Sequence, residues 1–325
     1  MKILLVYPEF PDTFWSFKHA LKFVRKRAAL PPLGLLTVAA MLPPGWEKRL
    51  IDLNVVRLRD ADLAWADLVM VSGMIAQRDS ARALIARCKA AGKTVVAGGP
   101  LFTSEHAGFP DVDHFILNEA EVTLPEFLID FAAGHARRLY TTTTLPGLLE
   151  TPVPLWHLAD LRRYGSMSLQ YSRGCPFDCE FCDVTATFGH RSRTKSAVQV
   201  IAELDALAAA GWRGPVFFVD DNFIGNKRKL REELLPALVK WQAGRRRQLT
   251  FYTEASINLA DDEELTREMV AAGFDAVFIG IETPDEAGLA ECNKRQNRGR
   301  DMLADVKRLQ RAGLEVQGGD RKSVV

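Results

Sequence analysis

The sequence predicts an α/β protein in two parts, a doubly wound parallel sheet followed by a partial (β/α) barrel, and three observations carry that prediction. Short apolar runs alternate with segments of helical periodicity along most of the 325 residues, as in parallel sheets joined by helices. The rhythm breaks between about 138 and 165, where Pro146, Pro152 and Pro154 mark an extended linker crossing a surface. It then resumes with strands that end in carboxylates, and the reactive groups of parallel barrels lie at the carboxyl ends of their strands.

In order, residues 2–7 read as a strand closed by Pro8, and 32–42 as a helix with Pro at its start. Residues 48–55 form a second strand. The nearly continuous apolar run 67–72 reads as a strand buried on both faces. A helix over 80–91 ends at Gly92, a strand over 94–97 runs into Gly98 and Gly99, and a strand at 114–117 and a helix over 123–133 complete the first part. In the second part, strands are expected at 168–172, 216–219, 249–253, 276–281 and from 314. Helices are expected at 197–210, 263–272 and 301–312. Ser196 and Gln199 have capping-box spacing at the first of these helices. The domains are therefore expected at 1–138 and 166–319, with a linker over 139–165. Residues 320–325 (Asp-Arg-Lys-Ser-Val-Val) continue no pattern and read as an artefactual tail on a truncated barrel, the natural protein being longer.

The formal charge of +1 gives no electrostatic argument for a nucleic-acid partner, and no apolar run is long enough for a transmembrane segment. The start lacks the features of a signal peptide, which points to a cytoplasmic protein. Five cysteines, three of them crowded at 175, 179 and 182, argue for metal or redox chemistry and against a disulfide framework. Cys88 sits on an expected helix as a small buried hydrophobe, and Cys292 takes no role.

Cys175, Cys179 and Cys182 occupy one short loop after a strand, with Gly174 and Pro176 giving its tight turns. Three soft thiolates suit an iron–sulfur cluster or zinc, and three ligands leave one metal position open to substrate. A structural zinc site with His190 or Cys292 as fourth ligand stays open, although such sites usually show paired Cys-x-x-Cys knuckles. The spacing, with aromatic Phe181 just before the last cysteine, resembles the radical S-adenosylmethionine (SAM) signature. That resemblance implies a [4Fe–4S] cluster on the three cysteines, with its fourth iron binding SAM. It implies SAM contacts at Phe181 and at strand-end carboxylates such as Asp221, Glu254 and Glu282, which suit an ammonium and hydroxyls. Capping or packing is the competing reading of those carboxylates. Arg191, Arg193 and Lys195 either neutralise cluster charge or form a solvated basic loop.

Residues 32–40, Ser72 with Gly73, the turn at Gly98 and Gly99, and residues 118–121 resemble the Rossmann-like domain of cobalamin-binding radical SAM enzymes. Glycines at strand ends let a large flat macrocycle approach the backbone, and Ser72 or Thr103 could bond the nucleotide base or corrin amides. Ordinary strand-to-helix turns are the alternative. The Asp-x-His-x-x-Gly motif that supplies a histidine to cobalt in many cobalamin proteins is absent after the first strand, where Pro8 to Asp12 stand.

The resemblance implies methyl transfer from methylcobalamin to a carbon activated by a 5′-deoxyadenosyl radical. A flavodoxin- or ferredoxin-type electron donor would serve it. The run Pro32–Leu36 resembles hopanoid methylases, which points to a lipid or other small-molecule substrate. Two rivals stand beside this: a cobalamin-dependent radical SAM cyclase, and a non-catalytic zinc- or nucleotide-binding module. Residues 14–27, aromatic and basic, read as a substrate entrance, a membrane-touching segment or a surface helix.

Overall fold

A computed structural model describes residues 1–13, 16–246 and 248–320. The chain divides into two compact units, one of residues 1–146 and 150–166, the other of 147–149 and 167 onward.

The first unit holds a six-stranded sheet, parallel throughout: β1 (Lys2–Tyr7), β2 (Glu47–Asp52), β3 (Leu68–Ser72), β4 (Thr94–Gly98), β5 (His114–Ile116) and β6 (Leu139–Tyr140), in the order β2-β1-β3-β4-β5-β6. Alternation along the strands feeds two cores. Leu4, Val6, Val69, Val71 and Val95 face the helix Arg78–Ala90 through Ala81, Leu84 and Ile85. Ile3, Leu5, Met70 and Val96 pack with Leu35, Leu124 and Phe127. A sheet buried on both faces needs continuous apolar runs, which β1, β3 and β4 carry and the edge strand β2 does not. Cys88 lies in the first of these cores, where burial pushes its thiol up to about 11.

The stretch 139–165 differs from an extended linker. Its first residues are β6, and Trp156 and Tyr164 are buried further on. The Tyr164 hydroxyl donates to Asp52 at 3.0 Å, and Leu155 N–H to the Leu36 carbonyl at 3.1 Å. Two large aromatics gain more from packing than the prolines lose by interrupting structure.

The second unit's sheet is also parallel: β7 (Met167–Leu169), β10 (Val216–Phe218), β11 (Phe251–Ala255), β12 (Phe274–Glu282) and β13 (Glu315–Asp320), in the order β13-β12-β11-β10-β7. A small antiparallel pair, β8 (Ser172–Arg173) with β9 (Arg193–Thr194), brackets the cysteine loop. Phe218, Phe223, Phe251 and Phe274 meet with ring centroids 4.8–5.5 Å apart and form an aromatic core. The helix Ala197–Ala209 starts on the expected capping box, Ser196 N–H donating to Gln199 Oε1 at 3.0 Å and Gln199 N–H to Ser196 Oγ at 3.3 Å. Of the tail expected at 320–325, Asp320 ends β13 and residues 321–325 lie outside the described residues; so do Phe14 and Trp15 of the aromatic, basic stretch.

Candidate functional site

The cysteine loop leaves the first strand of the second unit and is held by its neighbours' ends. Gly174 has φ +94, and a Cβ there would stand 2.6 Å from the Arg191 carbonyl, so the turn into Cys175 admits no side chain. Asp220, just past β10, accepts from the N–H groups of Tyr171 (3.1 Å) and Ser172, and burial pushes its carboxyl up to about 7. Asp221 accepts from Gly174 N–H at 3.0 Å, and burial raises it too. The two adjacent carboxylates thus tie the strand end and the loop to β10.

A second clasp comes from residues 292–297, a turn that sequence reasoning passed over. The Cys292 carbonyl accepts from Glu180 N–H at 3.0 Å, and Asn293 Nδ2 donates to the Asp178 carbonyl at 2.6 Å. Gln296 Nε2 lies 3.5 Å from Cys179 Sγ. On the other side Asn222 Nδ2 lies 3.9 Å from Cys175 Sγ and 3.2 Å from Ser256 Oγ. Nothing but the density of amide side chains in 293–297 signals this role in the sequence.

All three thiols are free. Burial raises Cys175 and Cys182, and neighbouring thiols raise each of them further: Cys182 and Cys179 act on Cys175, and Cys179 on Cys182. The three thiols therefore share one neighbourhood. Among the described residues no group of three His, Cys, Asp or Glu side chains is gathered as a cage for a metal ion. The softness and spacing of the thiols, and not a preformed cage, fit an iron–sulfur cluster. His190 is exposed, and Cys292 Sγ points to the Leu289 carbonyl at 3.7 Å.

The predicted SAM residues separate into two kinds. Glu282, at the end of β12 with φ +66, accepts from Lys294 Nζ at 2.6 Å, and the same ammonium lies 5.6 Å from the centre of the Phe181 ring. Glu282 and Phe181 thus converge on Lys294, while Asp221 is bonded to the loop backbone. Glu254, at the end of β11, has no hydrogen-bond or ion-pair partner among the described residues. Burial, and then the charge of Asp221, push it up to about 7. A half-buried carboxylate without a cation is the one best suited to receive one. The basic loop also splits. Arg191 is exposed, Arg193 Nη2 donates to the Phe188 carbonyl at 3.1 Å, and Lys195 is buried against Glu203. Lys195 is therefore neither solvated nor part of a basic loop: its charge is neutralised within the unit.

In the first unit the expected cofactor residues lie at the carboxyl edge of the sheet. Strand order reverses beside β1 and β3, where open parallel sheets place their ligands. Ser72 ends β3, Gly73 follows it, and Gly98 ends β4. Gly99 has φ +87 and ψ −178, and a Cβ there would stand 2.3 Å from Ser72 Oγ; one on Gly98 would stand 2.5 Å from the Ile116 carbonyl. Only glycine fits these two turns, because the Ile116 carbonyl and the Ser72 hydroxyl already occupy the space a Cβ would take; what fits a cofactor here is their place at the carboxyl edge of the sheet. Gly73 is less constrained, a Cβ there meeting ordinary contacts at 3.5 Å and beyond. Thr103 lies in the helix Pro100–Glu105, and its hydroxyl accepts from Asn118 N–H at 3.0 Å, so it braces the next turn.

Comparison with known proteins agrees with this division. The family model of the radical SAM superfamily matches residues 169–321, and that of the B12 binding domain matches 26–128. An uncharacterized methyltransferase of Synechocystis sp. is 46% identical over 98% of this chain and 60% of its own length. A hopanoid C-2 methylase of Rhodopseudomonas palustris is 36% identical over 98% of this chain and 61% of its own. The chain thus spans about three fifths of the length of these curated relatives. The structure of the cobalamin-dependent S-adenosylmethionine radical enzyme OxsB with aqua-cobalamin bound superposes with a TM-score of 0.75 at 18% identity, covering 98% of this chain and 49% of that one. The radical S-adenosylmethionine methyltransferase TsrM from Kitasatospora setae gives 0.74 at 17% identity, covering 98% and 69%. A radical SAM domain uses a [4Fe–4S] cluster and SAM, and a B12 binding domain uses cobalamin. With both domains in this order, the chain combines the two domains of the cobalamin-binding radical SAM enzymes.

Proposed function

We propose that this chain is the cofactor-binding part of a cobalamin-dependent radical SAM methyltransferase that acts on an unactivated carbon. The observation that carries the reading is the loop of three free thiols, clasped at the strand ends of a radical SAM domain whose chain also holds a B12 binding domain. Cys175, Cys179 and Cys182 hold the cluster. Glu254 receives the SAM amine or ribose, with Phe181, Asp221 and Glu282 shaping the rest of that pocket. Ser72, Gly73, Gly98, Gly99 and Thr103 form the cobalamin edge. When bound, these cofactors supply a 5′-deoxyadenosyl radical and a transferable methyl group.

The protein's own residues bind and orient. Gly174 and Asp221 fix the loop's entry, Asn222 and Gln296 offer amide hydrogens to two of the sulfurs, and Glu254 supplies a carboxylate for a cation. The 36% identity to a hopanoid C-2 methylase supports a lipid-class substrate. In this reading a flavodoxin or ferredoxin supplies the electron for such low-potential chemistry, and the protein works in the cytoplasm. Among the described residues no helix is long and apolar enough to cross a membrane.

Anaerobic reconstitution with iron and sulfide tests the reading. A brown, broadly absorbing cluster that is lost in Cys179→Ala is expected, and colourless stoichiometric zinc in its place would sink it. Supplied with SAM, reductant and cobalamin, the reconstituted protein is then assayed for methylated product beside 5′-deoxyadenosine. Formation of 5′-deoxyadenosine with a ring-closed product and no methylation would replace methyl transfer by cyclisation.

A further inference from the structure

The first unit presents an apolar and basic face that none of its cofactor chemistry uses. The short helix Lys18–Phe23 is pinned from beneath: Leu21 is buried, and the chain just after it is strapped to the turn at 161–166. Arg27 N–H donates to the Arg163 carbonyl at 2.7 Å, and Ala28 bridges Tyr164. Gly165 and Ser166 N–H groups donate to the Ala28 and Ala29 carbonyls, each at 2.9 Å. A segment held this firmly has its outward face chosen by the fold.

That face is not the one a water-facing segment needs. Phe23 is 90% exposed, Val24 62% and Phe17 46%. Burying such groups is worth far more than leaving them in water, so a short segment that exposes several of them marks an interaction site.

Its charge is equally one-sided. Lys18 and His19 are answered by Glu9 and Asp12, at 3.6–3.7 Å. Asp160 faces Arg162 and Arg163, at 2.9 and 3.4 Å. Lys26 reaches the Arg162 carbonyl at 3.1 Å. Lys22, Arg25 and Arg27 form no ion pair among the described residues. The whole chain carries a net charge of only +1, so this accumulation of cations is local.

We propose that residues 17–27, with the adjoining turn at 160–163, dock the protein onto an anionic lipid surface. Phe23 and Val24 enter the headgroup boundary, and Lys22, Arg25 and Arg27 face lipid phosphates. Aromatic and aliphatic groups flanked by cations are what such a surface retains. The proposal extends the lipid-substrate reading above, because a water-insoluble substrate reaches the enzyme most directly from the membrane that holds it.

Vesicle co-sedimentation of the chain, purified without cofactors, tests it. Binding to phosphatidylglycerol-rich vesicles, and little to phosphatidylcholine vesicles, is expected. The paired charge reversal Lys22→Glu with Arg25→Glu should weaken binding by about tenfold or more. Phe23→Ser with Val24→Ser should weaken it at unchanged charge, which separates insertion from mere attraction. All four positions are exposed, so unchanged melting temperatures show that the variants fold. Absence of vesicle binding, or binding that all variants retain, overturns the proposal. So does a Phe23 variant that changes only self-association, since the face then meets another copy. No cofactor takes part in this measurement, so a failure here would leave methyl transfer to its own test.

Discussion

The two parallel sheets solve opposite problems at the same edge. The first unit ends its strands in Ser72, Gly73, Gly98 and Gly99, so that backbone stands at the edge where cobalamin is proposed to lie. The second ends its strands in Asp220, Asp221, Glu254 and Glu282; backbone N–H groups hold the first two and Lys294 the last, so that of the four Glu254 alone stands open for the proposed SAM cation. A broad, flat ligand needs surface from which side chains have been removed, whereas a small polar ligand needs fixed charges. The cost is distributed accordingly. The first edge stores it in backbone that only glycine tolerates, and the second in carboxylates kept from water.

The largest effect that this contrast predicts is in the second unit. Asp220→Ala strands the buried N–H groups of Tyr171 and Ser172, at about 4 kcal/mol for two unsatisfied donors. Thermal unfolding should show the loss, with Asp220→Asn recovering about half because one carbonyl oxygen remains. Equal melting of the alanine variant and the parent would show that the carboxylate is not the strut described here.

The next effect is in the pH dependence. Glu254 and Asp220 are each pushed up to about 7 by burial. A carboxyl raised in the folded state binds more protons there than when unfolded, so its contribution to stability is complete at acid pH and is lost as pH rises through about 7. For Glu254 the loss is at most about 3 kcal/mol. The cofactor-free chain should therefore melt at lower temperature at pH 8 than at pH 5, and Glu254→Gln should flatten the slope. SAM affinity should run the other way, rising with pH as Glu254 ionises and attracts the cation. A Gln variant with the parent's full slope would remove Glu254 from the account.

In the first unit, Gly99→Ala should cost about 2 kcal/mol, since φ +87 with ψ −178 is closed to alanine and Ser72 must also turn aside. The telling readout is selective. Cobalamin retention should fall while the iron content of the second unit is unchanged, and a loss of both would mean that the two edges are not independent.

How far the sequence could be read follows from the same contrast. Both sheets were legible, since strands buried on two faces carry runs such as 68–72 that little else produces. The thiols were legible because three cysteines at fixed spacing have few other uses. Which carboxylate stands open was not. Asp221, Glu254 and Glu282 look alike in one dimension, and only in three does Gly174 claim the first and Lys294 the last. Lys195, grouped by its neighbours with a basic loop, is buried against Glu203, 8 residues further along the chain. The stretch 139–165 misled because prolines advertise a linker, whereas Trp156 and Tyr164 decide where it packs. Long-range partners leave no local signature.

The finest test lies between the cysteine loop and its clasp. Gln296 Nε2 is 3.5 Å from Cys179 Sγ, and Asn222 Nδ2 is 3.9 Å from Cys175 Sγ. An N–H donated to a cluster sulfur favours the more negative, reduced state and so raises the reduction potential. Gln296→Met keeps the length of the side chain and removes the donor, so the reconstituted cluster should titrate at a lower midpoint potential. Gln296→Glu should lower it further by placing negative charge beside the sulfur. Asn222, being more distant, should give a smaller shift than Gln296. Iron and sulfide content should be unchanged in all three, because the thiols themselves are untouched. An electron-paramagnetic-resonance redox titration reads the midpoint directly. If it stays fixed in Gln296→Met at full iron content, the 292–297 turn serves only to hold the loop in place, and the charged edge of the second unit tunes its chemistry through carboxylates alone.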